Sequence, residues 1–262
     1  MHPAPRSLAA LALVLLLAAL PASADEAPLS AQDIVDRALD TQSLGFRSGE
    51  VDMTLIVQDR GGDIRERRLT VRGRSDDDAF RALVRVTAPA EVAGQSYLFR
   101  ENPGGSDDVF VYLPALDESP RRIAGAQRNA SFMGTHLTYA DLQSRDLRDA
   151  TYERHDDERI GRHDVYVIDA RPAASTESEY ARVRIWIRHG DFIPLRVRFF
   201  DARDRERRTM FTEDLGRHND RLYVRRLTLR PAEGGATTMV IDRVDLDVDV
   251  PASEFTPQSL LQ

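Results

Sequence analysis

The sequence predicts a mainly β protein: a strongly curved antiparallel sheet, or half-open β-barrel, of about 11–13 strands. An N-terminal helix and a short internal helix are expected to close its concave face. Apolar and charged residues alternate with a period of two over most of the chain, and turn residues recur at intervals of roughly 10–15 residues. Helical periodicity is nearly absent between the strands. An antiparallel sheet with this many strands must curl, which leaves a concave apolar face and a convex charged one.

The N-terminus carries an export signal. Arg6 supplies the positive charge, Leu8 to Leu20 form an apolar run of 13 residues, and Ala22–Ala24 provide a small-x-small cleavage site. The run is shorter than the roughly 20 residues that span a bilayer. We therefore expect cleavage after Ala24 and a periplasmic location. Residues 25–262 are expected to form a single domain, because no linker rich in Pro or Ser divides them.

The composition excludes several classes of protein. The chain has 36 basic and 43 acidic residues, a net charge of −7, and both signs are mixed along it. No basic stripe is present that would neutralise phosphates, so nucleic acid is not an expected partner. The chain contains no Cys, which rules out disulfides and metal sites built on thiolates.

The N-terminal helix is indicated by a capping box and an apolar stripe. Ser30 and Asp33 have the spacing of a capping box, and Gly45 is a natural end for the helix. The apolar positions recur at helical spacing and are Ala31, Ile34, Val35, Ala38 and Leu39.

Three antiparallel strands are expected next. Val51–Val57 alternates, Asp63–Gly73 follows a Gly-Gly turn, and Phe80–Val86 follows the acidic turn Asp76–Asp78. Pro89 ends the third strand. These strands form a simple meander.

The next two strands have apolar residues on both faces. Ser96–Arg100 and Val109–Leu113 lack the polar alternation of a strand with one solvated face. A helix, the loop that follows, or a ligand is expected to cover the second face. Thr138 and Asp141 form a second capping box, which predicts a short helix over Tyr139–Ser144.

The second half of the chain returns to alternation, and its turns contain Gly, Asn and Asp. Seven strands are expected there: Tyr152–Arg159, Asp164–Arg171, Tyr180–Arg188, Pro194–Asp201, Arg207–Glu213, Leu222–Arg230 and Thr237–Asp249.

The motifs of common catalytic sites are missing from the sequence, including G-x-S-x-G, H-E-x-x-H and the P-loop. We therefore expect no catalytic residues, no metal, no cofactor and no enzymatic activity. His155 and His163 flank a predicted turn, but no third ligand accompanies them, which favours a solvated loop. His136 lies among apolar residues, and the pattern fits either a buried hydrogen-bonding side chain or a pocket wall.

The candidate binding residues are aromatic and apolar side chains, together with a pair of arginines. Arg121 and Arg122 can contact an acidic headgroup or a partner, or simply form a charged strand edge. Phe132 and Met133 lie on a loop that could act as a lid, with Gly134 as its hinge. The candidates for the wall of a hydrophobic cavity, for which core packing is the alternative, are Tyr97, Phe99, Phe110, Tyr112, Phe132, Met133 and Trp186.

A set of segments along the chain carries a family resemblance: Pro89–Gly94, Tyr112–Leu116, Arg121–Ile123, Ser131–Thr135, Tyr139–Leu142, Trp186-Ile187, Ile193–Leu195 and Phe255–Pro257 with Leu260. In these segments the chain resembles the outer-membrane lipoprotein-sorting protein family, in its LolA-like branch. The resemblance extends over nearly all of residues 25–262 and implies a half-open, strongly curved sheet closed by helices.

The resemblance also implies a function. Carriers with this fold hold the acyl chains of lipoproteins in an apolar cavity and transfer them towards the outer membrane. The expected partners are lipoprotein acyl chains or a lipid, with an inner-membrane transporter or an outer-membrane acceptor, and the protein is expected to be a monomer. The alternative is a non-catalytic interaction module or accessory protein of an efflux-type inner-membrane transporter. The resemblance does not assign cargo binding to particular residues of this sequence.

Overall fold

The computed structural model describes residues 28–42, 48–76, 79–102, 107–142, 150–173, 178–219, 221–246 and 248–262. The predicted signal sequence lies outside these ranges. So do the predicted helix end at Gly45, most of the turn Asp76–Asp78, and the end of the predicted helix at Ser144.

The described part of the chain contains one α-helix, α1, and 13 strands. Most strands agree with their predicted positions to within a few residues, although β6 was foreseen only as the charged strand edge at Arg121 and Arg122, and β11 continues to His218, beyond its predicted end at Glu213. The helix and strands are α1 (Ala31–Gln42), β1 (Ser48–Gln58), β2 (Ile64–Asp76), β3 (Ala79–Ala88), β4 (Ser96–Arg100), β5 (Asp108–Tyr112), β6 (Arg121–Ile123), β7 (Ala150–Ile160), β8 (His163–Pro172), β9 (Arg182–Arg188), β10 (Pro194–Phe200), β11 (Glu206–His218), β12 (Arg221–Pro231) and β13 (Ala236–Asp245).

All the strands belong to one antiparallel sheet. Its order is β6-β5-β4-β3-β2-β1-β13-β12-β11-β10-β9-β8-β7, so each half of the chain is a meander and the two halves join where β1 pairs with β13. The edge strands β6 and β7 do not pair with each other. The sheet is therefore curved and open, as the sequence predicts.

Helix α1 covers the concave face of β8 and β9 in the second half. Its predicted capping box is present, with the Ser30 amide 3.2 Å from Asp33 Oδ2 and the Asp33 amide 3.1 Å from Ser30 Oγ. Ile34 and Val35 are almost fully buried. The apolar stripe packs against concave residues of β8 and β9, namely Ile168, Ala170, Val183, Ile185 and Ile187.

A second element, which we call the plug segment (residues 131–142), covers the concave face of the first half. Instead of a helix it contains 3₁₀ turns at Phe132–Gly134 and Ala140–Leu142. The predicted capping box is nevertheless present, since the amide and hydroxyl of Thr138 lie 2.6 and 2.8 Å from Asp141 Oδ2. Met133 and Gly134 both have positive φ angles, 51° and 66°. Two consecutive left-handed residues cannot continue a right-handed helix, so the chain turns here.

The convex face of β3–β5 is covered by the tail segment (residues 248–262). Phe255 and Leu260 pack on Leu83 and Leu98. Polar contacts fix the tail, including Arg85 Nη2 donating to Ser259 O at 2.8 Å and Ser96 Oγ donating to Leu260 O at 2.7 Å.

The two apolar faces of the predicted central strands thus have different covers: the plug segment on one and the tail segment on the other. The last strand, β13, is shorter than predicted, since it ends at Asp245 and not at Asp249. Beyond it, Val248 and Val250 join the cluster under the tail. The convex face of β3–β5 is consequently largely apolar and buried beneath the tail segment, whereas a charged face was expected.

Candidate functional site

A cavity of about 240 Å³ opens on the concave face between β10 and β13. The strand register places Thr212, Leu227 and Met239 side by side on this face. The cavity is lined by Ile193, Pro194, Arg196, Val197, Met210, Thr212, Leu222, Tyr223, Val224, Leu227 and Ile241.

The cavity wall is mostly apolar. The Thr212 hydroxyl donates to Pro194 O at 2.6 Å, so this polar group is already satisfied within the sheet. An apolar cavity of about 150 Å³ in another protein remains dry and binds benzene. The cavity of 240 Å³ here is larger, yet smaller than the roughly 300–1,000 Å³ of sites for drug-sized ligands. Its size and lining suit a slender hydrocarbon.

One wall of the cavity depends on a glycine. Tyr223 pairs with Gly216 across β11 and β12. A Cβ atom at Gly216 would lie 2.3 Å from Cζ of the Tyr223 ring, closer than atoms can approach. Gly216 is therefore required for the ring to lie across β11, where Tyr223 forms part of the cavity wall.

Four of the predicted binding residues meet on the concave face of the first half, outside this cavity. Tyr97 and Phe132 have ring centroids 4.9 Å apart, and Phe99 lies 5.9 Å from Phe132. Tyr97, Phe132 and Met133 are each less than a tenth exposed. Burial raises the pKa of the Tyr97 hydroxyl well above its ordinary value. The plug segment occupies this part of the concave face.

The other three predicted aromatic residues point to the convex side. Phe110 and Tyr112 pack beneath the tail segment, because Val109 and Val111 take the concave positions of β5. Trp186 is 4% exposed, and its Nε1 donates to Glu158 at 2.9 Å. The guanidinium carbons of Arg196 and Arg198 lie 5.4 and 5.3 Å from its ring centroid. The structure therefore divides the predicted set between two faces, and its role in ligand binding stays a prediction.

The two predicted headgroup arginines also separate. Arg121 lies opposite Val111 on the concave side, and Arg122 lies opposite Phe110 on the convex side. Each is about half exposed and forms an ion pair, Arg121 with Asp117 at 3.3 Å and Arg122 with Asp108 at 2.5 Å. They do not form a single basic site.

A buried ion pair fixes the plug segment to the second half of the sheet. Arg208, on β11, and Asp141 have side chains 7% and 10% exposed. Arg208 Nη1 donates to Asp141 Oδ2 at 2.7 Å and to His136 O at 3.2 Å. Its guanidinium also lies over the rings of Tyr180 and Phe199, at 4.6 and 4.9 Å. Sequence reasoning missed this contact, although Arg208 alternates with Met210 and Thr212 on an otherwise apolar face.

His136 makes the second connection. Its amide donates to Thr237 Oγ1 at 3.0 Å, and its Nδ1 lies 2.9 Å from the same oxygen. Since the hydroxyl accepts from the amide, its own proton is available to Nδ1, which fits a neutral imidazole. Burial lowers the pKa of His136 accordingly. The histidine belongs to the contact between the plug segment and β13.

A polar cluster on the convex face brings His155 close to Glu153 and Asp169. Burial disfavours the charge on Asp169, but hydrogen bonds from Arg184 and His155 lower the pKa of its carboxyl group to about 2. Arg184 Nε and Nη2 lie 2.6 and 2.8 Å from its two oxygens. The buried carboxylate is thus engaged by a guanidinium, and His163 lies outside the cluster.

The curved open sheet, its concave cavity and its plug define the class of fold found in LolA-type proteins. The chain is similar to a domain named for outer membrane lipoprotein sorting from Vibrio parahaemolyticus, with a TM-score of 0.81, 20% identity, and coverage of 88% of this chain and 98% of that one. It is also similar to a DUF1329 family protein from Desulfovibrio piger, with a TM-score of 0.80, 24% identity, and coverage of 88% of this chain and 98% of that one. For a LolA superfamily protein from Nitrosomonas europaea the TM-score is 0.68 and the identity 20%, with coverage of 87% of this chain and 98% of that one. At these identities the likeness establishes the fold, and the resemblance seen in the sequence is confirmed at that level.

A family model with the description "Uncharacterized protein" matches residues 78–262. This is more than half of the chain, so the chain belongs to that family. No curated protein matches the sequence. Within the described ranges, no helix has both the length and the apolar composition that crossing a membrane requires.

Proposed function

We propose that this protein is a non-catalytic periplasmic carrier that binds an acyl chain of a lipid or lipoprotein on its concave face, for transfer towards the outer membrane. The observation that carries the proposal is the apolar cavity of about 240 Å³. Each methylene buried in it contributes about 0.8 kcal/mol, so even a short segment of an acyl chain would contribute several kcal/mol.

A longer chain requires more of the concave face than the cavity provides. The adjoining surface holds Tyr97 and Phe99 beneath Phe132 and Met133 of the plug segment. Under the proposal these residues contact the guest once the plug segment swings away at Gly134. The loss of burial of Phe132 and Met133 costs about 1.5–3 kcal/mol each, which about four to eight further buried methylenes would offset.

Filling the cavity tests the proposal most directly. We expect the wild-type protein to take up a fluorescent acyl probe and Leu227→Trp to bind it at least about tenfold more weakly, because the indole occupies space that about two or more methylenes would otherwise fill. Val240→Trp is the matched control, since Val240 lies on the convex side of β13. Equal uptake by both variants would contradict the assignment of this cavity.

Native mass spectrometry provides an independent test. Protein purified after export is expected to carry lipid that dissociates on activation. A clean apo mass together with no uptake of the acyl probe would refute the carrier proposal.

The plug segment is tested by introducing a charge. Phe132 is 6% exposed, and a buried carboxylate at this position lacks a partner, so Phe132→Asp is expected to abolish probe uptake. Asn129→Asp adds the same charge at an exposed neighbouring position and should bind the probe like the wild type. Probe uptake that survives Phe132→Asp in a folded protein would remove the plug segment from the binding site.

The proposal includes the route of the protein to the periplasm. Residues 1–24 are removed after Ala24, and residues 25–262 act as a monomeric single domain. N-terminal sequencing of the exported protein should begin at Asp25, and cell fractionation should recover it with periplasmic markers.

One observation favours the alternative, an accessory protein of an inner-membrane transporter. Leu116 is 78% exposed in the turn after β5, next to exposed Pro114 and Ala115. An apolar loop tip suits docking on a protein partner. Under this alternative we expect that a transporter co-purifies with the wild type but not with Leu116→Ser, while acyl uptake is unchanged. The carrier proposal makes no prediction about this loss.

A further inference from the structure

Two arginines on the concave side of β2 have no ion-pair partner among the described residues. Arg67 lies opposite Leu55 of β1, and Arg65 lies opposite Val57. Leu55 and Val57 are buried concave residues, so both arginines belong to the same face. Alternate residues of a strand are about 7 Å apart, which places the two guanidinium groups side by side.

Arg67 is half-buried and unsatisfied. Its Nη1 is inaccessible and has no hydrogen-bond partner in the described part of the chain. No carboxylate of the described residues forms an ion pair with Arg65 or Arg67, and Glu66 between them belongs to the opposite face. Burial, and then the charge of Arg65, lower the pKa of Arg67. A guanidinium beside a second cation, with a buried donor unused, is unfavourable unless an anion joins them.

The position of Arg67 relates it to the plug segment. A Cβ atom built on Gly134 would lie 4.0 Å from Arg67 Nη2, so the guanidinium lies next to the turn formed by Met133 and Gly134. Arg121, the third arginine near this part of the concave face, already pairs with Asp117 at 3.3 Å. Among the residues that the structure describes, Arg65 and Arg67 are the arginines beside the proposed hinge that form no ion pair.

The strand register also relates Arg67 to the cavity. Arg67 lies opposite Leu55, Leu55 opposite Met239, and Met239 opposite Leu227, which lines the cavity. These residues form one row across four neighbouring strands. At about 4.8 Å between strands, the row extends about 14 Å from Arg67 to Leu227. One end of the row is cationic and the other is apolar.

We propose that Arg67, assisted by Arg65, binds an anionic headgroup, a phosphate or carboxylate, of an amphiphile whose chain lies along this row into the cavity. The placement of the chain rests on the proposed function. The anion site itself depends only on the two arginines. The planar guanidinium presents paired donors that match two oxygens of a phosphate or carboxylate.

The test compares ligands with one chain and different headgroups. Competition against the acyl probe is measured with dodecyl phosphate and with dodecanol, for the wild type and for Arg67→Gln. We expect dodecyl phosphate to bind the wild type about tenfold more tightly than dodecanol, the scale of one charge-assisted hydrogen bond. Arg67→Gln should remove this preference and leave dodecanol unchanged. Equal weakening of both ligands, or of neither, would overturn the headgroup site.

The matched control is Arg68→Gln. Arg68 is the next residue of β2, points to the convex face and also lacks an ion pair in the described chain. It should retain the full preference for dodecyl phosphate. A loss in Arg68→Gln equal to that in Arg67→Gln would show a general effect of net charge and refute the site.

Inorganic phosphate separates this inference from the proposed function. We expect phosphate alone to raise the Tm of the wild type and of Arg68→Gln but not of Arg67→Gln. If no acyl ligand binds but this difference persists, the carrier proposal fails and the anion site stands, with free phosphate as its ligand. If dodecanol binds while neither phosphate nor dodecyl phosphate depends on Arg67, the carrier proposal stands and the anion site fails.

Discussion

Leu260→Ala is expected to destabilise the protein by about 2–5 kcal/mol, and Phe255→Ala by about 3–5 kcal/mol. Both side chains are at most 2% exposed. They close the cluster over Leu83 and Leu98 on the convex face, so truncation leaves a cavity against strands that belong to the middle of the first half. Each loss is a large fraction of the roughly 5–15 kcal/mol that stabilises a typical domain. Urea unfolding of the purified variants measures it.

Leu261→Ala is the control for this result. Leu261 is 42% exposed, so its truncation should change the free energy of unfolding by no more than about 0.5 kcal/mol. If Leu260→Ala and Leu261→Ala are equally stable, the tail segment is not part of the folded core.

Arg208→Met is expected to cost about 3–5 kcal/mol, because it leaves the carboxylate of Asp141 buried without its partner. The pair is at most 10% exposed and fixes the plug segment to β11. The double variant Arg208→Met, Asp141→Leu should recover much of the loss, since a buried ion pair is often replaceable by apolar side chains. Thermal unfolding of Arg208→Met, of Asp141→Leu and of the double variant measures the coupling, and loosening of the plug segment should also raise its rate of amide exchange.

An exposed ion pair provides the comparison. Arg225 and Asp214 are 55% and 40% exposed, so Asp214→Asn should cost no more than about 1 kcal/mol. A cost for Arg208→Met as small as this would mean that the plug segment is not held by the buried pair.

These results would show how the concave face is divided between α1, the plug segment and the cavity. In the structure, α1 and the plug segment each cover part of it, and the cavity lies over β10–β13 between their clusters. Under the proposed function, a guest that fits the cavity would leave both covers in place. A longer guest would have to displace the plug segment and break the contacts of Arg208 and His136. The strength of those contacts would therefore set the minimum hydrocarbon length that opens the first half.

Much of the fold was predictable because it depends on local patterns. Alternation of apolar and charged residues defined the strands, and the Ser30–Asp33 capping box defined the start of α1. Turn residues set most strand ends. Register follows from alternation in a sheet with buried positions, since a shift by one residue would turn every side chain to the wrong face.

The candidate site was less predictable because both faces of β4 and β5 are buried. Where apolar residues continue on both faces, alternation does not indicate which face a side chain joins. Phe110 and Tyr112 therefore resembled cavity residues although the tail segment covers them. The cavity is lined by ordinary residues such as Val197 and Leu227, which have the pattern of any strand.

The sequence by itself determined the all-antiparallel strand pattern, the amphipathic helix α1 and the capping box of Thr138 and Asp141, although a short helix was expected after that box. These features arise from residues within a few positions of one another. The tertiary structure decided which segment covers each face, that Arg208 meets Asp141, and that Arg67 shares a row with Leu227. These contacts join residues that are distant in sequence, through the pairing of β1 with β13 and the curvature of the sheet. Neither the pairing nor the curvature can be read from the periodicity of the sequence. The cavity exists because a curved sheet has more concave surface than α1 and the plug segment fill.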